Sequence, residues 1–237
     1  MTIYVCMDDT DNLKSRGTGR LARAVAAELA GKYPVHGVTR HQLYVHPDIP
    51  FTSHNSCAVI HINSLGIVAP KELKDIFKTA KQEMHLDFIE GSDPGLAVAS
   101  LEQISPSLIA FGKDAKTTVL TQEKARTLAK NLNIRLEGLG GTEDGVIGTM
   151  AGLGLACTRN DGRFLQIGNI RDLTGPQPAS KLLNSGVDRI FTVDGQPVSK
   201  GIIFNPPDKS VKPCPVNGEA ILFVEKQDDK LVAVKRD

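Results

Sequence analysis

The chain has 237 residues, with 28 Lys and Arg against 27 Asp and Glu for a formal net charge of +1, and is 41% hydrophobic and 23% charged. That length suffices for a sizeable buried core in one large or two smaller domains, and the composition excludes disordered, collagen-like and fibrous classes. The near-neutral total demands no polyanionic partner, and Cys6, Cys57, Cys157 and Cys214 lack the pairing of a zinc site, so a reduced, cytoplasmic protein is expected.

Residues 2–7 form a short, partly β-branched apolar run halted by carboxylates, which predicts a buried strand. Residues 18–31 are rich in Ala and Leu at helical spacing, with Gly31 as the stop. Strand patterns follow at 35–45 and 56–64, joined by the Pro-containing loop 46–55. A helix is predicted over 70–85, with Pro70 at its first position and Leu73, Ile76, Phe77 and Ala80 on one face. A strand at 94–104 completes a β-α-β-β-α-β order, the split βαβ or ferredoxin-like arrangement, expected for residues 1–103.

Residues 104–237 change character and are expected to form a second α+β domain packed on the first. Helices are predicted at 105–115 and 121–132, a strand at 133–139, and a glycine-rich start to a helix at 146–158. Short strands follow at 164–170 and 189–195, with a last hairpin over 219–236 around Asp228-Asp229. The Pro-rich stretch 205–218 reads as a rigid surface loop. No window approaches eighteen uninterrupted apolar residues and no basic segment precedes an apolar one at the N-terminus, so neither a membrane span nor secretion is expected.

Three carboxylates, Asp8, Asp9 and Asp11, crowd the end of the first strand. Like charges so close raise one another's pKa unless a cation neutralises them, and Mg²⁺ favours such oxygen ligands, joined by substrate phosphates. Asp-Asp-Thr-Asp-Asn is also good turn and cap composition. The next segment favours the metal. Arg16-Gly17-Thr18-Gly19 stands where a helix begins, offering unpaired N–H groups and a positive dipole end to phosphate, with charge added by Lys14 and Arg16. A metal site beside a phosphate loop suggests Mg·ATP, although neither a Walker A loop nor a G-x-G-x-x-G turn is present.

Gly140-Gly141-Thr142 repeats the device before the helix at 146–158 and is a second candidate for the nucleotide. Thr142 also suits a helix cap, and the glycines after it suit close helix packing, each costing roughly 1 kcal/mol against Ala. In the 46–55 loop, Asn55 and its polar neighbours are candidates to face the ligand.

These motifs resemble the catalytic half of the archaeal agmatidine synthetases that modify an isoleucine tRNA. The resemblance is carried by Asp8-Asp9-Thr10-Asp11 followed by Arg16-Gly17-Thr18, by 46–59, by 92–98 and by 144–154, and covers about two thirds of the chain in order. It implies an acidic block that binds Mg·ATP, with Asp8, Asp9 and Asp11 handling metal and phosphates. It also implies that Thr18 is the phosphate-handling residue, linked in the family to autophosphorylation, and that a tRNA cytidine is activated by phosphorylation before agmatine attacks. The family's Cys before the Thr is Gly17 here, and its Thr-Tyr after it is Gly19-Arg20. The family's OB-fold and zinc ribbon have no counterpart in this sequence, so a shorter stand-alone paralogue is expected. Its acceptor would be a small molecule or RNA, with tRNA unsupported by a binding domain and the oligomeric state open.

The leading expectation is a Mg²⁺- and ATP-dependent kinase-like or synthetase-like enzyme. Two alternatives stand beside it: a phosphohydrolase with an Asp nucleophile near Asp9, and a non-catalytic nucleotide- or RNA-binding module, the latter weakened by an aromatic content of only 5%.

Overall fold

The computed structural model describes residues 1–12, 17–50, 54–64 and 66–236. The chain divides into two compact units, Met1–Thr158 and Arg159–Asp237. The expected boundary at 103/104 is therefore displaced by some fifty residues, for a reason visible in the packing of the first unit.

The first unit begins with the strand β1 (Thr2–Asp8), the helix α1 (Thr18–Ala30), and the strands β2 (Val35–Gln42) and β3 (Ser56–Asn63). The helix α2 (Pro70–Leu86) and the strand β4 (Gly95–Ser100) follow. Then come α3 (Pro106–Asp114), α4 (Gln122–Asn131), β5 (Arg135–Gly138) and α5 (Gly145–Cys157). The strands run β5-β4-β1-β3-β2 across the sheet, each antiparallel to its neighbour.

Alternation along β1 sends Ile3, Val5 and Met7 to one face and Tyr4, Cys6 and Asp8 to the other. The first face meets α1 through Leu21, Val25 and Leu29, and α2 through Ile76, Phe77 and Ala80, all buried. On the second face Tyr4, Cys6, Cys57, Val59, Ala97 and Ala99 share a core with α3, α4 and α5. Residues 104–158 thus complete the first unit's core: β5 extends its sheet, and α5 is apolar all round and needs that face to be buried.

The predicted strands lose their outer residues where the backbone finds other partners. Beyond Gln42, the Leu43 and Tyr44 N–H groups donate to the carbonyls of Asn55 and Ala115, at 2.8 and 2.9 Å. After Ser100 the chain turns through a short 3-10 segment, Leu101–Gln103, closed by a capping box between Ser100 and Gln103.

The start of α5 is held against β4 by backbone-to-backbone contact. A Cβ on Gly95 would fall 2.6 Å from the Val146 nitrogen, and one on Gly145 would fall 2.6 Å from the Asp93 carbonyl oxygen and 2.9 Å from that of Asp8. Gly95→Ala therefore forces two main chains apart and is expected to destabilise the first unit by about 1–3 kcal/mol or more, read as a lower denaturant midpoint.

The second unit contains β6 (Arg163–Ile167), β7 (Gln177–Pro178), α6 (Ala179–Leu183), β8 (Arg189–Thr192), β9 (Ile202–Phe204) and β10 (Cys214–Val216). It ends in the expected hairpin, β11 (Glu219–Gln227) and β12 (Lys230–Val234). The sheet order is β10-β11-β12-β9-β7, with β8 parallel to β11. Its core gathers Phe164, Ile170, Leu182, Ile190, Ile203 and Leu222. The 205–218 stretch departs from the surface-loop expectation: Cys214 and Pro215 are buried, and Cys214–Val216 pairs with β11. Among the described residues no helix is long and apolar enough to cross a membrane.

Candidate functional site

β1, the central strand, delivers the acidic block to one end of the first unit's sheet. Asp8, its last residue, is 8% exposed and points to the α5 side, where a Cβ on Gly148 would lie 2.6 Å from its carboxyl carbon. Asp9 has a left-handed backbone, φ 52°, which Asp tolerates better than most residues and which ends the strand. The chain then passes Thr10 and Asp11 and returns at Gly17, whose φ of 82° and ψ of 149° suit glycine alone. Gly17 is the N-cap of α1 and offers no side chain to cap it, and no acid occupies the helix's first turn, although the Asp11 carboxylate stands close, 3.5 Å from where a Cβ on Gly17 would lie. Thr18 is buried, and its hydroxyl donates to Asp11 Oδ1 at 3.3 Å.

These residues line one cleft. Asp8, Asp9, Asp11, Thr18 and Gly148 contribute to it, as do Asp48, His54, Asn55 and Asp144, and its apolar lining includes Leu43, Ile49, Val119, Leu120 and Ile147. The Asn55 side-chain nitrogen donates to the Tyr44 carbonyl at 2.6 Å, tying the 54–56 wall to the end of β2. Asp8, Asp9, Asp11, Thr18 and Asn55, singled out from sequence, are thus brought together. Gly17 and Gly19 stand at the start of α1 beside Thr18, outside the cleft lining. Arg16, like Lys14, lies outside the described residues.

Gly140, Gly141 and Thr142 go elsewhere. The Thr142 N–H donates to an oxygen of Asp93, Gly140 packs against the Phe88 ring, and a Cβ on Gly141 would meet the Ser92 carbonyl at 2.8 Å. The loop has captured a protein carboxylate where sequence suggested a phosphate. Nor is Thr142 the cap of α5. Asp144 holds that position and accepts from the Thr142 hydroxyl at 2.9 Å and from Gln122 Nε2 at 2.7 Å.

The arrangement concentrates negative charge. Burial pushes the Asp8 carboxyl well above the usual carboxylate range, and the charges of Asp9 and Asp11 push it further. Asp9 is raised to about 6, first by burial and then by the charges of Asp93, Asp11 and Asp144. Among the described residues no Lys or Arg lines the cleft to offset them.

That donor set fits a hard divalent cation in chemistry. In geometry, no three His, Cys, Asp or Glu side chains among the described residues converge as a ready metal cage. Carboxylates are the ligands Mg²⁺ takes, one or two at a time, with water and phosphate oxygens in its remaining positions.

A pH dependence follows. The folded protein holds the Asp9 proton more tightly than the unfolded chain, so this group's contribution to stability is present below about pH 4 and is lost as pH rises through about 6. Thermal melts in EDTA are expected to show this loss as a fall in the first unit's midpoint between about pH 4 and about pH 7.

Asp93, Asp144, Asp48 and Gly148 join the site without having been singled out for it. Asp93 stands before Pro94 in a stretch legible as a turn, and nothing local marks it as a neighbour of Asp9.

No family model matches the chain, and no curated protein sequence matches it. Solved structures do. Apo TiaS, the agmatidine synthetase of an isoleucine tRNA, aligns with a TM-score of 0.54 at 19% identity, covering 65% of this chain and 35% of that one. The complex of TiaS with that tRNA and ATP aligns at 0.55 and 20%, covering 65% and 36%. The complex of TiaS with the tRNA, AMPCPP and agmatine aligns at 0.54 and 16%, covering 85% and 52%. The chain spans between about a third and a half of the TiaS chains it matches. At these identities the likeness is one of architecture, and the chain has a TiaS-like α+β fold.

Proposed function

We propose that the first unit is a ferredoxin-like module that binds Mg·ATP in the cleft and transfers a phosphoryl group to a small-molecule or RNA acceptor. The observation that carries this reading is the convergence of Asp8, Asp9 and Asp11 with Thr18 at the start of α1. Carboxylates for a cation and helix N–H groups for an anion are the two halves of a metal–phosphate site. The apolar lining from Leu43, Ile49, Val119, Leu120 and Ile147 suits a purine base. The TiaS-like fold, seen in complexes with ATP and AMPCPP, supports the same reading.

Asp9 and Asp11 would hold the metal, with Asp8 behind them against α5. Bound there, Mg²⁺ would neutralise charge building on the phosphates. Thr18, held by Asp11, presents its hydroxyl beside the first N–H groups of α1, placing it to orient or receive a phosphoryl group. The fixed dipoles of α1 stabilise phosphate oxygens with little reorganisation, because the helix is anchored through Leu21, Val25 and Leu29.

Isothermal titration with ATP, with and without Mg²⁺, tests the reading. Saturable binding that requires the metal is expected, and its absence overturns the proposal.

A further inference from the structure

Asp144 stands where the acidic and the apolar parts of the cleft meet. It lines the cleft from the start of α5, with a helical backbone of φ −63° and ψ −24°. Gly148 follows four residues later, so the two share one side of the helix, and Gly148 rests against the Asp8 carboxyl. Asp144 is also near enough to Asp9 for its charge to raise that carboxyl. On its other side lies the apolar lining. Ile147 is three residues further along the chain, and Val119 and Leu120 run directly into the start of α4, whose Gln122 bonds Asp144.

The carboxylate is held in place. Gln122 Nε2 donates to Oδ1 at 2.7 Å and the Thr142 hydroxyl to Oδ2 at 2.9 Å. The same Gln122 nitrogen reaches the Thr142 carbonyl at 2.7 Å, which ties the two donors together. The two oxygens of a carboxylate offer about four acceptor positions, so one protein bond to each leaves each able to accept another. Asp144 is half-buried and is thus a fixed acceptor on the cleft wall.

A nucleoside triphosphate carries its ribose between its phosphates and its base. With the phosphates at Asp9, Asp11 and the start of α1, and the base on the apolar lining, the ribose falls beside Asp144. We propose that Asp144 accepts a hydrogen bond from a ribose hydroxyl of the bound nucleotide and makes the cleft prefer ribonucleotides to deoxyribonucleotides. This assignment rests on the Mg·ATP reading of the cleft. Its chemistry is the pairing of a carboxylate with a ribose hydroxyl that dinucleotide-binding folds also use.

Isothermal titration of the full chain in Mg²⁺ with ATP, 2′-deoxy-ATP, 3′-deoxy-ATP and inosine triphosphate is the test. The wild type should bind at least one deoxynucleotide roughly tenfold or more weaker than ATP, the loss of one hydrogen bond to a charged acceptor. In Asp144→Ala that ratio should fall to about one, and a ratio cancels any effect of the substitution common to all the nucleotides. The wild-type comparison needs no variant to fold: equal binding of ATP and both deoxynucleotides overturns the assignment. So does an Asp144→Ala protein that binds every nucleotide more weakly by one factor with the preference intact, as loss of a metal ligand would give. An Asp144→Ala protein that loses only its discrimination against inosine triphosphate overturns it too, because Asp144 would then read the 6-amino group of the base. A wild type that binds no triphosphate overturns the Mg·ATP reading itself and this assignment with it.

Discussion

Alanine at Gly148 is expected to abolish metal-dependent ATP binding, a loss of about a hundredfold or more by titration, and to cost about 1–3 kcal/mol of stability through overpacking. The added methyl would sit 2.6 Å from the Asp8 carboxyl carbon and 2.8 Å from Leu43 Cδ1. Neither neighbour can yield easily. Asp8 is the last residue of a strand paired on both sides, and Leu43 is buried with its N–H tied to Asn55. The carboxylate must swing into Asp9 and Asp11, where charge is already in excess. Gly152→Ala is the control. Its methyl would meet the Cys6 and Cys57 sulfurs at 2.5 and 2.6 Å, one helical turn from the acids, so it should cost comparable stability and leave binding measurable. Equal loss of binding in both variants would reduce Gly148 to a packing residue.

Asp9→Asn separates function from stability in opposite directions. Binding of Mg·ATP should fall at least about a hundredfold, because a partly exposed charge that lines the cleft is removed. Without metal the variant should be more stable than the wild type near neutral pH. The wild-type carboxylate, raised to about 6, is a net liability to the fold once ionised, whereas the amide carries no charge. Solvent screening limits the gain to about 1–2 kcal/mol, or a rise of roughly 2–8 °C in the first unit's melting temperature. The advantage should vanish near pH 4, where both side chains are neutral. A variant no more stable at pH 7 than the wild type would mean that the repulsion at Asp9 is already relieved.

Much of the first unit was legible because its elements declare themselves locally. Ile3 to Met7 are apolar and stopped by acids, α1 and α2 carry clear apolar faces, and Pro70 marks a helix start. That Asp8, Asp9, Asp11 and Thr18 would share one cleft was legible because the acidic block and the glycine-bracketed Thr18 lie within a dozen residues of each other, and Asn55 stood out because its loop is richer in polar groups than a connector needs. What was hidden depends on contacts distant in sequence. The change of character at residue 104 marks a shift from alternating strands and helices to a run of helices. It does not mark a new core, since α3 to α5 bury their apolar surface on the sheet already begun. Gly140-Gly141-Thr142 has the composition of an anion loop and binds an anion, yet the carboxylate of Asp93 is that anion, which no local pattern specifies. The strands at 202–204 and 214–216 are three residues each, too short for a periodicity to appear.

The seat of Asp8 on α5 bears on how the molecule comes together. Asp8 and Gly148 stand about 140 residues apart, so their meeting closes almost the whole of the first unit into a loop. Contacts of such span are formed late in folding, after the local helices and the β2–β3 pairing have appeared. During synthesis the acidic stretch leaves the ribosome long before the helix that receives it, and its charges spend that interval in water, where they repel least. The chain thus postpones the costly burial of its carboxylates until the rest of the unit is in place to hold them.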